Sequence, residues 1–186
     1  MLRTPLTVLL LATAVSAALL APTPAVAGDK LWHVKGIHPK GHLLDIKVVD
    51  HEGTMYDIKA IQRDDNVHLL DVKAIVGDEY RPVKVVTSEE RYAPVMAIGI
   101  GGKNLQLKAV TPEGKMHDVK AIRRSGSILH IRVIGIGRVY GVKAISPEGR
   151  MYDVKGVKMT YDRVEAVIDN VQVHAHVKAL PPAGDV

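Results

Sequence analysis

The chain contains no cysteine and no phenylalanine, and aromatic residues make up only 4% of its 186 residues. Without cysteine it has no disulfide, no thiolate nucleophile and no lipid attached through a cysteine, so stability must come from a core and a hydrogen-bonded backbone. Runs of lysine or arginine are also missing. The net charge of +5 is spread along the chain, which argues against the concentrated basic patch of a nucleic-acid binder. Long apolar stretches are confined to one place, Leu6 to Leu20.

That stretch follows Arg3 and precedes Ala25-Val26-Ala27. A positive residue, an apolar run and a small-x-small site are the three parts of a cleaved export signal. The run is shorter than the ~20 residues that span a bilayer, and Pro22 and Pro24 come next. We therefore expect residues 1–27 to be a cleaved signal peptide. The mature protein would begin at Gly28, in the periplasm or outside the cell, and would not span the membrane. It would hold a single domain over 28–180 and a tail at 181–186.

What the chain has in abundance is one phrase. Leu44-Asp45-Ile46-Lys47, Tyr56-Asp57-Ile58-Lys59-Ala60-Ile61, Leu70-Asp71-Val72-Lys73-Ala74-Ile75, His117-Asp118-Val119-Lys120-Ala121-Ile122 and Tyr152-Asp153-Val154-Lys155 recur about every twelve residues. Such a period holds one strand and one turn. Within each phrase, Tyr56, Ile58 and Ala60 share one face while Asp57 and Lys59 share the other, the alternation of a half-buried strand.

The turns set the register. Ser146-Pro147-Glu148-Gly149-Arg150, Thr111-Pro112-Glu113-Gly114-Lys115, His38-Pro39-Lys40-Gly41-His42 and Asp50-His51-Glu52-Gly53-Thr54 fit three-residue hairpin loops, with glycine at the left-handed position. Counting outward predicts Lys35 opposite Asp45, Lys47 opposite Asp57, Asp45 opposite Lys59, Lys108 opposite Asp118 and Lys143 opposite Asp153. Val142 falls opposite Val154, and Ala144 opposite Tyr152. Gly77-Asp78 reads as a two-residue turn. The fold class is therefore all-β, an antiparallel meander of about twelve short strands. An open meander leaves exposed edges, so it should close as a round or flattened barrel, with a two-layer sandwich, a β-trefoil or a β-prism as alternatives. A round twelve-strand barrel would be too wide for the Val, Ile and Ala on its inner face to fill, so flattening or a ligand must take up the space. An outer-membrane barrel fits poorly, because its strands are longer and carry aromatic girdles.

The repeat resembles that of a family of small secreted bacterial domains of unknown function, marked by Tyr-Asp-Val-Lys-Ala-Ile phrases. The likeness covers about residues 31–160 and is closest around Asp57, Asp71, Asp118 and Asp153. It departs where Pro82 and Pro94 replace the aspartate and again after Tyr161. The resemblance implies an exported repeat domain and brings no catalytic residues.

Chemistry-bearing groups are few. His174 and His176 stand two apart in a strand-like segment, and His33 occupies the aspartate position of the first strand. If the first and last strands were neighbours, the three imidazoles could hold a zinc ion with an open position, the arrangement of a zinc-dependent hydrolase. An isolated His-x-His is more commonly a solvated pair. His38, His42 and His51 lie in or beside turns. The glycine-rich Ile98–Lys103 lacks the lysine-hydroxyl pair and helix of a phosphate loop, and Ser125 and Ser127 lack a nucleophile elbow.

Three functions follow in order. The first is a non-enzymatic exported module that binds or scaffolds, taking a lipid-like ligand in an apolar lumen or an envelope polymer on its Asp/Lys face. The second is an envelope assembly protein whose edge strands pair with a partner protein or with another copy in a homo-oligomer. The third is the zinc enzyme built on His33, His174 and His176. No cofactor is expected apart from that zinc.

Overall fold

The computed structural model describes residues 29–65, 67–99, 104–123, 128–135, 138–158 and 166–181. The expected signal segment, Asn66, Ile100–Lys103, Ser125, Ser127 and residues 182–186 lie outside them. The described residues form thirteen strands: β1 (Lys30–Ile37), β2 (Leu43–Val49), β3 (Met55–Gln62), β4 (Leu70–Val76), β5 (Glu79–Val86), β6 (Tyr92–Ile98), β7 (Asn104–Val110), β8 (Met116–Ile122), β9 (Ile128–Gly135), β10 (Arg138–Ile145), β11 (Met151–Val157), β12 (Ala166–Ile168) and β13 (Val171–Leu180). All pairings are antiparallel, and from β1 to β11 each strand pairs with the next. The all-β meander is thus as the repeat predicts.

Turn chemistry acts as expected. Gly41, Gly53, Gly114 and Gly149 have φ between 81° and 86°, the left-handed region that glycine enters without a Cβ penalty. Each donates its N–H to the carbonyl three residues earlier, as Gly149 does to Ser146 at 3.0 Å. The hairpins start in the predicted register, with Lys35 opposite Asp45, Lys47 opposite Asp57, Lys108 opposite Asp118, Lys143 opposite Asp153 and Ala144 opposite Tyr152.

The hairpins then diverge, which corrects two expected pairs. Asp45 does not face Lys59, nor Val142 Val154. Lys59 pairs with His33 and Lys73, Val142 with Gly36, and Val154 with Ala179. The reason is a third strand. β1, β2 and β3 each pair with both of the others, so one edge of every strand is shared between two partners, one on each half. The same triangle recurs in β4, β5 and β13, in β6, β7 and β8, and in β9, β10 and β11. We refer to these as the first, second, third and fourth triads.

The other edge of each strand joins its triad to a neighbour. The seams are β3–β4, β2–β7, β1–β10, β5–β6, β11–β13 and β8–β9. Every triad is therefore joined once to each of the other three, the connectivity of a tetrahedron. A barrel strand has two neighbours; here each of the twelve long strands has at least three, so the sheet closes as a compact shell. β12 is an added short strand paired only with β13, through a turn in which Asp169 and Asn170 are left-handed.

A shell of this kind is smaller than a twelve-strand barrel, and small residues fill it. The middle residue of every phrase, including Val34, Ile46, Ile58, Val72, Val119 and Val154, is buried, as are Ala60, Ala74, Ala97, Ala109, Ala121 and Ala144. One continuous core occupies the interior, which is where the lipid-like ligand was expected. Gly156 serves the close packing there: a Cβ would stand 3.0 Å from Val85 Cγ2 and 3.1 Å from Leu129 Cβ.

Candidate functional site

Charged side chains of the phrase face outward and close a ring around each triad. In the first triad, Lys35 bonds Asp45 and Lys47 bonds Asp57, while the Lys59 ammonium donates to His33 Nδ1 at 3.1 Å. In the third, Lys108 Nζ donates to Asp118 at 2.6 Å, and in the fourth Lys143 and Lys155 share Asp153. Across the seams cations face each other: Lys35 and Lys143, Lys47 and Lys108, Lys59 and Lys73, Lys155 and Lys178, Lys120 and Arg132. Like charges in register repel, and Lys35, Lys47, Lys108, Lys120, Lys143, Lys155 and Lys178 each turn toward a carboxylate of their own triad.

These bonds hold Asp45, Asp57 and Asp118 below the ordinary carboxylate range, the lysine hydrogen bond being the leading cause. At Asp71 and Asp153 burial pushes upward, and the bonds from Lys178, and from Lys143 and Lys155, outweigh it. The lysine neighbours act oppositely on imidazole. His33 is lowered by Lys59, then by burial and Lys35. His176 is pushed down to about 4 by burial, then by Lys84, Lys178 and Lys73.

The three histidines expected to form a metal site are not brought together. His33 belongs to the first triad. His176 belongs to the second, and β13 pairs with β4, β5, β11 and β12, so the first and last strands are not neighbours. His174 is 2% exposed and lies at a β-bulge between Val173 and Ala175. Among the described residues, no group of three His, Cys, Asp or Glu is placed to hold a metal ion.

A different site arises where three triads meet. The residue that opens each phrase points inward beneath such a meeting point. At the starts of β1, β4 and β11 these are Trp32, Leu70 and Tyr152, all buried. Trp32 packs edge-on against Tyr152 at 4.8 Å. Its Nε1 donates to Gln62 Oε1 at 3.0 Å, and the Arg150 guanidinium lies 5.5 Å over its ring. This face is sealed. At β2, β8 and β10 the set is Leu44, His117 and Tyr140, again buried, and Gly135 is required there because a Cβ would stand 2.7 Å from His117 Nδ1.

At β3, β5 and β7 the set is Tyr56, Arg81 and Leu105, and the face is open. A cavity of about 520 Å³ is lined by Asp50, His51 and Tyr56 of the first triad, Val76 and Arg81 of the second, and Ala97, Gly99, Asn104 and Leu105 of the third. Its volume suits a small molecule. Asp50 is committed to its turn, accepting from the N–H groups of Glu52 at 2.9 Å and Thr54 at 2.8 Å and from the Tyr56 hydroxyl at 3.1 Å. Arg81 is 21% exposed and pairs with Glu79, which is 59% exposed. Asn104 Oδ1 is buried without a hydrogen-bond partner among the described residues. The cavity thus combines the Arg81 guanidinium, the His51 imidazole, the Asp50 carboxylate and an Asn104 amide oxygen open to a donor with an apolar wall, an arrangement suited to a small ligand that carries both an acceptor group, such as a carboxylate, and a donor group, such as a hydroxyl.

Sequence reasoning did not single out Arg81. The signal was there: with the phrases aligned, Arg81 is a charge in a column that otherwise holds one histidine, His117, and aromatic or aliphatic residues such as Trp32, Leu44, Tyr56, Leu70, Leu129, Tyr140 and Tyr152. It was missed because Pro82 hides the phrase. The twelfth phrase, His176-Val177-Lys178-Ala179, went unread because a histidine stands in its aspartate position.

Among the described residues no helix is long and apolar enough to cross a membrane. The chain matches, over residues 29–180, the model of a family of unknown function (DUF7486). No curated protein matches it, and no solved structure does.

Proposed function

The chain belongs to that family of unknown function, and on this footing we propose that it is an exported, non-enzymatic binding module that takes a small ligand at its open face. One observation carries the reading. A shell whose inward positions are filled by apolar groups and one buried histidine, His117, has a guanidinium at one of them, and a cavity of about 520 Å³ stands beside it. A charge in an inward column costs stability relative to a leucine, and such a cost is characteristic of binding sites. The core-filled interior favours a surface ligand over one held in a lumen. Assembly through edge strands has less support, because the twelve long strands have partners along both edges, leaving only the outer edge of β12 among the described residues.

Two measurements test the proposal. Full-length chain expressed in a bacterial exporting host should appear outside the cytoplasm with Gly28 as its first residue; retention in the cytoplasm with Met1 intact would end the export reading. Native mass spectrometry and a thermal-shift screen of small carboxylates and sugars should detect a ligand that wild type binds and Arg81→Leu does not. Identical behaviour of the two proteins across the screen would end the open-face reading.

A further inference from the structure

The open face departs from the repeat on both sides of its strands. On the inner side it places Arg81. On the outer side, the residue just before each phrase is apolar or aromatic from β1 to β11, with Leu31, Leu43, Leu69, Met116, Ile128 and Met151 among them. The exception is Asn104, and it lines the same cavity. Its Oδ1 is buried without a hydrogen-bond partner among the described residues, and an acceptor in that state costs stability until a donor reaches it.

Asp50 is the third polar group of interest. Desolvation pushes its carboxyl upward, and the bonds from Thr54, Tyr56 and Glu52 outweigh it, so the group stands below the ordinary carboxylate range and is charged at neutral pH. The described lining therefore holds one cation, Arg81, and one anion, Asp50. Exposed Glu52 and Glu79 pair with the lining residues His51 and Arg81. A ligand bearing only a carboxylate would find one guanidinium among three acids. One that also carries an ammonium turns those acids to its advantage. Glu79 reaches the guanidinium at Nη2, and the five N–H donors of its planar fork leave room for a second carboxylate.

Resting on the open-face reading, we propose that the ligand is a free α-amino acid with an apolar side chain. Its carboxylate lies on Arg81, its ammonium on Asp50 and Asn104 Oδ1, and its side chain against Val76, Ala97 and Leu105. The two charges of the zwitterion thus meet opposite charges from two triads, and the third triad supplies the remaining acceptor. Charge-assisted bonds of this type are the strong ones. A site built on them rejects an analogue that lacks one partner, because its own polar groups are then left unpaired.

Isothermal titration of the full chain, purified from an exporting host, compares L-leucine with two analogues of its shape. One is 2-hydroxy-4-methylpentanoate, which lacks the ammonium, and the other is 3-methylbutylamine, which lacks the carboxylate. L-Leucine should bind, and each analogue should bind at least tenfold more weakly. Asp50→Asn keeps an acceptor for the Glu52 and Thr54 N–H groups but removes the charge; it should weaken L-leucine at least tenfold and should not weaken the hydroxy acid. Asn104→Met, which copies Met116, should weaken L-leucine at least fivefold. L-Leucine binding no tighter than either analogue would overturn the proposal, as would an Asp50→Asn that weakens L-leucine and the hydroxy acid alike. Absence of L-leucine binding, when the wider screen returns an Arg81-dependent ligand of another kind such as a sugar acid, would overturn it and leave the open-face reading standing. Identical behaviour of wild type and Arg81→Leu toward every ligand would end both.

Discussion

The sealed face and the open face are built by the same device, three strand starts meeting where three triads join, and they differ mainly in what stands in one column of the repeat. Trp32, Leu70 and Tyr152 fill the first; Tyr56, Arg81 and Leu105 leave a cavity of about 520 Å³ in the second. Wide aromatic and branched side chains complete a core, whereas a guanidinium holds solvent and a counter-charge near it. The difference teaches that this shell can give up packing at one meeting point without losing closure, because backbone pairing along six seams and within four triads holds the strands.

The largest test of that contrast removes a ring from each face. Trp32→Ala should lower the unfolding free energy by about 3–5 kcal/mol, as for other fully buried large side chains, while Tyr56→Ala should cost about 1 kcal/mol or less, near the effect of a partly exposed hydrogen bond. Denaturant titration of both variants reads the difference, and equal losses would mean that the open face is as structural as the sealed one.

Filling the open face is the converse. Arg81→Leu copies Leu70 and should raise stability by about 0.5–1 kcal/mol while removing ligand binding. A destabilised Arg81→Leu would show that the Arg81–Glu79 pair is worth more than the packing it displaces.

Acid should act on both faces alike, since the first and second triads border both. The sign is set by proton uptake. His33 and His176 have folded pKa values below 6.5, so the unfolded chain binds protons first and stability falls as pH drops from about 6.5 toward 4. Asp45, Asp57, Asp71, Asp118 and Asp153 are depressed below 3.8, so their contribution is full above that value and is lost in a second stage at lower pH. His176→Asn should flatten the first stage and leave the second. An acid profile with one stage in both proteins would refute the assignment.

The smallest effect concerns a single ring bond. Asp45→Asn, at a carboxylate that is half exposed, should cost about 0.2–1 kcal/mol and should not distinguish the two faces.

Much of this was legible before any fold was known. Alternation in Tyr56–Ile61 marks a strand, and Gly149 three residues after Ser146 marks a hairpin, because strand geometry and glycine's left-handed freedom are local matters. The first three pairs of each hairpin were countable for the same reason. The pairs beyond them were not: whether Lys59 faces Asp45 or His33 depends on a strand that ends eighteen residues before β3 begins.

The candidate site divides in the same way. That Arg81 is the one guanidinium in a mostly apolar column, and that Pro82 and His176 replace acids, are properties of the chain alone. That Arg81 shares a cavity with Tyr56 and Leu105, that Lys84 sits among Lys73 and Lys178, and that His33 stands apart from His174 and His176 were decided only when the strands closed. The sequence by itself determined strands, turns, the inward and outward faces and the alternation of charge, since each rests on neighbours within a few residues. Tertiary structure alone decided the third partner of every strand, because a twelve-residue period carries no information about which repeats meet, and that choice follows from closing the shell over a core of small residues.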